Sequence, residues 1–201
     1  MREEKITAER LIAFSDAVFA VIVTIMVLDL KAPDAAAFPA LWPLWPTAAS
    51  YAVSYLFIAI IWINQYYLMR FAGPPTLGLI WINFIHLFLV SLLPFATAWI
   101  ARTELASYPM VLCAGLFVCI DIIYNVFERH VLVHADATLV SGSTRRLARR
   151  RSLLVLSGFM AAMLVAVFAP RVGFGLICAA LILHLRPEAR NLLNPRDFLN
   201  R

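Results

Sequence analysis

The amino-acid sequence predicts an all-α integral membrane protein with six transmembrane helices and with cytoplasmic N- and C-termini. Two observations carry this prediction: the composition and the distribution of basic residues. Apolar residues make up 63% of the 201 residues and charged residues 14%, against roughly 45–50% and about 25% in soluble proteins. A soluble globule this apolar could not cover its surface. The composition therefore excludes a soluble enzyme, a large extramembrane domain and a disulfide-stapled secreted module.

Six apolar runs are long enough to be considered as membrane spans, since each crossing needs about 20 apolar residues. We interpret residues 1–201 as a single six-span transmembrane domain. The predicted spans lie near residues 11–30, 47–68, 77–99, 108–127, 152–170 and 172–186. The first run is not a signal peptide, because it carries Asp16 and lacks a cleavage site followed by a polar chain. Pro170 and Arg171 predict a tight hairpin between the last two spans.

The basic residues fix the predicted orientation. With the N-terminus on side one, fourteen Lys and Arg residues fall on that side and three on the other. Positive charge accumulates in cytoplasmic loops, so this bias places both termini in the cytoplasm and favours an even number of spans. The arginines between Arg145 and Arg151 are then a topology signal, and we expect no nucleic-acid partner.

The two longer loops carry different signals. The outer loop from Lys31 to Pro46 holds four prolines together with Trp42 and Trp45. Proline disfavours a regular helix and tryptophan suits the headgroup region, so we predict an irregular interfacial loop. The cytoplasmic segment 132–150 is predicted to be partly helical. The three cysteines lie inside apolar runs without metal-ligand spacing, and we expect no metal and no cofactor.

Polar side chains in four spans fall at one predicted depth, within roughly 5–15 Å of the cytoplasmic boundary. They are Arg10, Ser15 and Asp16, then Trp62, Asn64 and Gln65, then Trp81, Asn83 and His86, then Asp121, Tyr124 and Asn125. An unpaired polar group in hydrocarbon costs several kcal/mol, so we interpret them as an interhelical hydrogen-bond layer. A sharper alternative is a proton or ion relay through Asp16 and His86.

The first span has a second face, which is almost entirely apolar. At about 100° per residue, Val21, Ile25 and Leu28 form one stripe. Thr24 and Phe14 belong to the same stripe, whereas Ser15 and Asp16 fall on the far side. This face is therefore free to meet something other than the polar layer.

The head of the first span reads Arg10-Leu-Ile-Ala-Phe14-Ser15-Asp16, which has the form R-x-x-x-F-S-D. This motif resembles the signature of the transmembrane protein 175 family, the lysosomal potassium channels and their bacterial relatives. The residues that follow, from Ala17 to Thr24, are also similar to that family. So is the third span, where Trp81-Ile-Asn83 precedes Leu92-Leu-Pro-Phe-Ala-Thr97.

The resemblance implies a homotetramer in a bacterial plasma membrane, with a pore lined by the first helix of each subunit and permeant potassium ions. It implies that the signature residues pack helices behind the pore. The constriction would map to Val21, Ile25 and Leu28, with Thr24 at the position linked to potassium preference. One departure concerns Gln65 and Tyr66, since relatives often carry histidines just after the tryptophan of the second span. A pH response relying on those histidines is therefore not expected.

Three function classes follow from these observations. The leading hypothesis is a potassium-permeable cation channel with a hydrophobic constriction, and not an enzyme. The second is a proton-coupled transporter using Asp16 and His86. The third is a membrane scaffold without transport.

Overall fold

The computed structural model describes residues 8–28, 30–69, 71–134 and 142–184. These residues form α-helices and one short 3-10 helix, and no strand occurs among them. The elements are α1 (Ala8–Val27), a 3-10 helix (Phe38–Leu44), α2 (Trp45–Met69), α3 (Leu77–Ser91), α4 (Leu93–Arg102), α5 (Ser107–His134), α6 (Gly142–Ala166) and α7 (Pro170–His184). The predicted all-α class is confirmed for this part of the chain.

Four stretches of the described chain are long and apolar enough to cross a bilayer. They are Ala8–Val27, Phe38–Met69, Leu77–Arg102 and Ser107–His134. The apolar parts of the last two helices, Ser152–Ala166 and Pro170–Ile182, are shorter. Several crossings are therefore supported by length and composition, whereas the full count of six stays a prediction.

The third span, predicted near 77–99, corresponds to one apolar stretch, Leu77–Arg102, that consists of two successive helices. The chain leaves the α-helical pattern at Leu92, whose backbone N–H donates to the Leu89 carbonyl at 3.2 Å. Pro94 follows within the first turn of α4. Proline has no N–H and its ring clashes with the carbonyl four residues earlier, so it is tolerated only at the start of a new helix.

Several predicted boundaries also shift. The outer loop contains the 3-10 helix, since Pro39 occupies its first turn, where a missing N–H costs nothing. Helix α6 begins ten residues before the predicted span, because arginine is a good helix former although it is not apolar. Helix α1 ends at Val27, so Leu28 lies in the turn that follows.

A tight turn joins the last two helices as predicted, but Pro170 and Arg171, which were expected to form it, are the first residues of α7. Only residues 167–169 separate α6 from α7. Gly173 explains how closely the two helices approach, because a Cβ atom there would come within 2.8 Å of the Ala166 Cβ. Any larger residue at this position would force the helices apart.

Helix α5 lies at the centre of the bundle, in contact with α3, α4, α6 and α7. Phe57 of α2, Phe117 of α5 and Phe159 of α6 meet there, with ring centroids 4.0 Å apart for Phe57 and Phe117. Helix α1 packs against α2, α3 and α4 on one side. It buries Leu11, Ser15, Phe19, Ile22 and Met26, a spacing that keeps one helical face inward.

Candidate pore-lining face and interhelical polar cluster

The outward face of α1 carries the residues that the sequence assigns to a constriction. The exposed fractions of Val21, Ile25 and Leu28 are 54%, 49% and 74%. Phe14, one end of the same stripe, is 46% exposed, although its ring lies 5.2 Å from that of Phe84. Within the described part of the chain, α1 therefore presents an apolar face that the subunit itself leaves largely uncovered.

Thr24 lies on the same outward side of α1 and is exposed. Its hydroxyl donates to the Val21 carbonyl oxygen at 2.8 Å. This bond uses the only hydroxyl proton, so the lone pairs of Oγ1 are left to accept a hydrogen bond or to contact a cation. Thr24 is thus the one polar group on an otherwise apolar stripe.

Ser15, Gln65 and Asn83 form a buried polar cluster that joins α1, α2 and α3. The Asn83 side-chain amide donates to Ser15 Oγ at 3.0 Å, and Ser15 Oγ donates to the Leu11 carbonyl at 2.9 Å. The Gln65 amide donates to Asn83 Oδ1 at 3.0 Å. Asn83 is wholly buried and central to all three helices. We call this group the Ser15–Gln65–Asn83 cluster.

Asp16 takes a different place from its neighbour Ser15. Its carboxylate accepts a hydrogen bond from the Trp62 indole N–H at 2.7 Å, which links α1 to α2. Both side chains are exposed on the subunit surface. Trp62 in turn stacks on Tyr66, with ring centroids 6.0 Å apart. The Asp16–Trp62 pair therefore lies at the surface of the subunit.

The remaining signature residues also divide between interior and surface. Trp81 is 59% exposed, and its ring lies 6.4 Å from that of Phe84. Arg10 is exposed and Asn64 is half-buried, and both interact with other residues. The polar residues predicted to share one layer thus separate into the Ser15–Gln65–Asn83 cluster, a surface group, and further polar residues against or on α5, namely His86 and the hydrogen-bonded pair Asp121 and Asn125.

His86 is wholly buried and packs against α5. Its ring lies nearly parallel to that of Phe127 at a centroid distance of 6.4 Å, and 6.0 Å from that of Tyr124. Neither ring nitrogen has a hydrogen-bond partner within the described chain. The relay hypothesis pairs His86 with Asp16, but among the described residues no hydrogen bond connects the two.

One further polar contact was not anticipated from the sequence. Ser54 of α2 and Thr97 of α4 share a buried hydrogen bond of 2.7 Å in the outer part of the bundle. Ser and Thr hydroxyls can also bond to their own helix, so their presence in a span gives little sign of an interhelical contact.

Comparisons with known proteins agree with this architecture. The profile of the endosomal/lysosomal potassium channel TMEM175 family matches residues 10–94. A potassium channel of Chryseobacterium sp. (strain P1-3) is 27% identical over 184 residues, which cover 92% of this chain and 95% of that protein. A potassium channel of Streptomyces collinus is 36% identical over 106 residues, covering 49% of this chain and 52% of that protein.

A solved structure shares the fold. The crystal structure of a lysosomal potassium-selective channel TMEM175 homolog from Chamaesiphon minutus superposes with a TM-score of 0.78 at 23% identity. The match covers 89% of this chain and 97% of that one. The fold, the apolar helices and the signature define a multi-pass helical membrane protein. Residues 10–94 match the TMEM175 family, and the relatives and the solved structure that the chain resembles are channels rather than enzymes.

Proposed function

We propose that the protein is a potassium-permeable cation channel of the bacterial plasma membrane. The proposed assembly is a homotetramer of single-domain, six-span subunits with cytoplasmic termini, in which α1 of each subunit lines a central pore. The similarity of residues 10–94 to the TMEM175 family and the potassium channels among the relatives support this proposal. The observation that carries it is the exposed apolar face of α1 formed by Val21, Ile25 and Leu28.

The proposed mechanism follows from placing four such faces around one axis. Val21, Ile25 and Leu28 would then form stacked apolar rings. A narrow apolar ring disfavours water and hence a hydrated ion, so it controls conduction by wetting rather than by a charged binding site. The four Thr24 side chains would form one ring of hydroxyl oxygens between the apolar rings of Val21 and Ile25. A partly dehydrated cation needs oxygen ligands at such a position.

The direct test is cation flux into liposomes containing the purified protein. A channel passes potassium down its gradient without a proton gradient, and the initial rate grows in proportion to the potassium concentration. The alternative, a proton-coupled transporter using Asp16 and His86, would show saturable flux that requires or generates a pH gradient. Coupled, saturable flux would reject the channel, and liposomes that pass no ions would favour a scaffold without transport.

Thr24→Val should lower the preference for potassium over sodium more than it lowers total flux. The substitution removes one hydroxyl per subunit at similar size, and with it the oxygen whose lone pairs face outward from α1. Paired flux measurements with potassium and with sodium gradients give the ratio. Ser91→Ala is the matched control, because this exposed hydroxyl bonds its own helix in the same way. An unchanged ratio in Thr24→Val would remove Thr24 from the selectivity position.

Asp16→Ala should weaken the tetramer. The carboxylate lies off the α1 stripe, and its loss leaves the Trp62 indole N–H without its partner at a surface where subunits would meet. An unpaired donor that becomes buried costs about 1–3 kcal/mol, repeated in four subunits. Size-exclusion chromatography with light scattering should show dissociation on dilution. The control is Asp34→Ala in the exposed outer loop. An intact tetramer with abolished selectivity would instead make Asp16 a pore ligand.

A further inference from the structure

A groove of about 630 Å³ runs between α5 and α6, away from the buried side of α1. Its walls are mostly apolar, with Ile122 and Val126 on α5 and Leu153 and Leu156 on α6. Three of these side chains, Ile122, Val126 and Leu153, are 43%, 46% and 56% exposed. The groove is therefore an open apolar cleft on the surface of α5 and α6.

Towards the C-terminal end of α5 the groove becomes polar and basic, with Leu132 and Val133 lining it one turn beyond Arg129. Arg129 lines it and is exposed, and it makes no hydrogen bond or ion pair with the residues that the structure describes. Ser152 lines the same end from α6, and Arg150 is exposed two residues before it. Glu128 also lines the groove and interacts with another residue. Arg129 thus offers a positive charge, unpaired among the described residues, beside a long apolar surface.

Arg129 lies towards the side of the membrane that the distribution of Lys and Arg assigns to the cytoplasm. The α5 sequence runs from Ile122 inward to Arg129, and α6 runs outward from Ser152 to Leu156. The apolar walls of the groove suit an acyl chain, and the positive charge of Arg129 suits an anionic headgroup. The groove therefore fits an amphiphile that carries both groups. Basic pockets between helices on the cytoplasmic side are typical sites for anionic lipid headgroups.

We propose that the groove binds one anionic phospholipid of the inner leaflet, with its phosphate at Arg129 and an acyl chain along Val126, Leu153 and Leu156. An apolar helix of a second subunit would leave the charge of Arg129 without a partner, whereas a phospholipid supplies both an anionic group and an acyl chain. Bound in this way, the lipid would hold the inner ends of α5 and α6 together. The proposal does not depend on the function proposed above.

The test is lipid binding to the delipidated, purified full-length protein, followed by native mass spectrometry. Dioleoyl-phosphatidylglycerol should bind more tightly than dioleoyl-phosphatidylcholine. Arg129→Gln should reduce this preference about fivefold, the effect of one basic residue near an anionic lipid surface. Arg129→Lys should retain most of it. The matched control is Arg171→Gln, an exposed arginine in the first turn of α7, at the opposite end of the helices.

The Val126→Trp variant tests whether lipid binds in the groove or is only attracted to the charged surface of the protein. It fills the apolar wall without changing charge, so it should weaken binding of both lipids. A preference for phosphatidylglycerol that survives both Arg129→Gln and Val126→Trp would overturn the proposal, because the lipid would then bind elsewhere. Equal competition by inorganic phosphate, or a groove closed to lipid by contact between subunits, would overturn it as well.

Discussion

Leu28→Asn and Ile25→Asn should each raise potassium flux by about tenfold or more, since a barrier change of about 1.4 kcal/mol changes a rate tenfold. Ile25 lies on the exposed face of α1, and Leu28 is exposed in the turn that follows the helix. Asparagine changes polarity more than volume, so the substitution wets an apolar ring of the proposed pore without greatly widening it. Leu28→Ala and Ile25→Ala should also raise flux, by widening the ring. The measurement is the initial rate of potassium flux into liposomes at matched protein density.

Val23→Asn is the matched control for these variants. Val23 is half-buried and packs against the hydrophobic core, on the side of α1 that faces the rest of the subunit. An asparagine there places an amide among apolar side chains, so it should lower stability without raising flux. If the stripe variants left flux unchanged while Val23→Asn raised it, α1 would be rotated relative to the proposed pore. The pore would then belong to another face of the helix.

Asn83→Ala should lower the free energy of unfolding by about 2–4 kcal/mol, the range expected when a buried hydrogen-bond network loses its central member. Asn83 accepts from Gln65 and donates to Ser15, so its loss breaks contacts between three helices. The Gln65 amide is then buried without its partner. Reversible unfolding in mixed detergent and sodium dodecyl sulfate provides the measurement.

A double-mutant cycle tests whether the cluster acts as a unit. Ser15→Ala and Asn83→Ala should be less costly together than the sum of the two single effects, because the two side chains share one hydrogen bond. The pair Ser15→Ala and Ser157→Ala is the additive reference, since Ser157 is exposed and bonds only its own helix at Leu154. Additive effects for Ser15 and Asn83 would mean that the cluster contributes no stability through their contact.

Little of the difference between Ser15 and Asp16 could be predicted from the sequence. Both were assigned to one polar layer because they lie at the same depth on α1. The structure buries Ser15 against Asn83 and leaves Asp16 on the surface against Trp62. The depth of a residue follows from its position along the helix. Whether its side chain is buried or exposed depends on where α2 and α3 cross α1. Those crossings are set by side-chain packing between distant parts of the chain.

The membrane class and the apolar face of α1 were determined by the sequence alone. Hydropathy is summed over local windows, and helical periodicity assigns Val21, Ile25 and Leu28 to one stripe without knowledge of any neighbour. Only the tertiary structure decided that this stripe stays exposed and that Ser54 bonds to Thr97. These features depend on contacts between residues far apart in the chain, and a local pattern carries no record of such contacts.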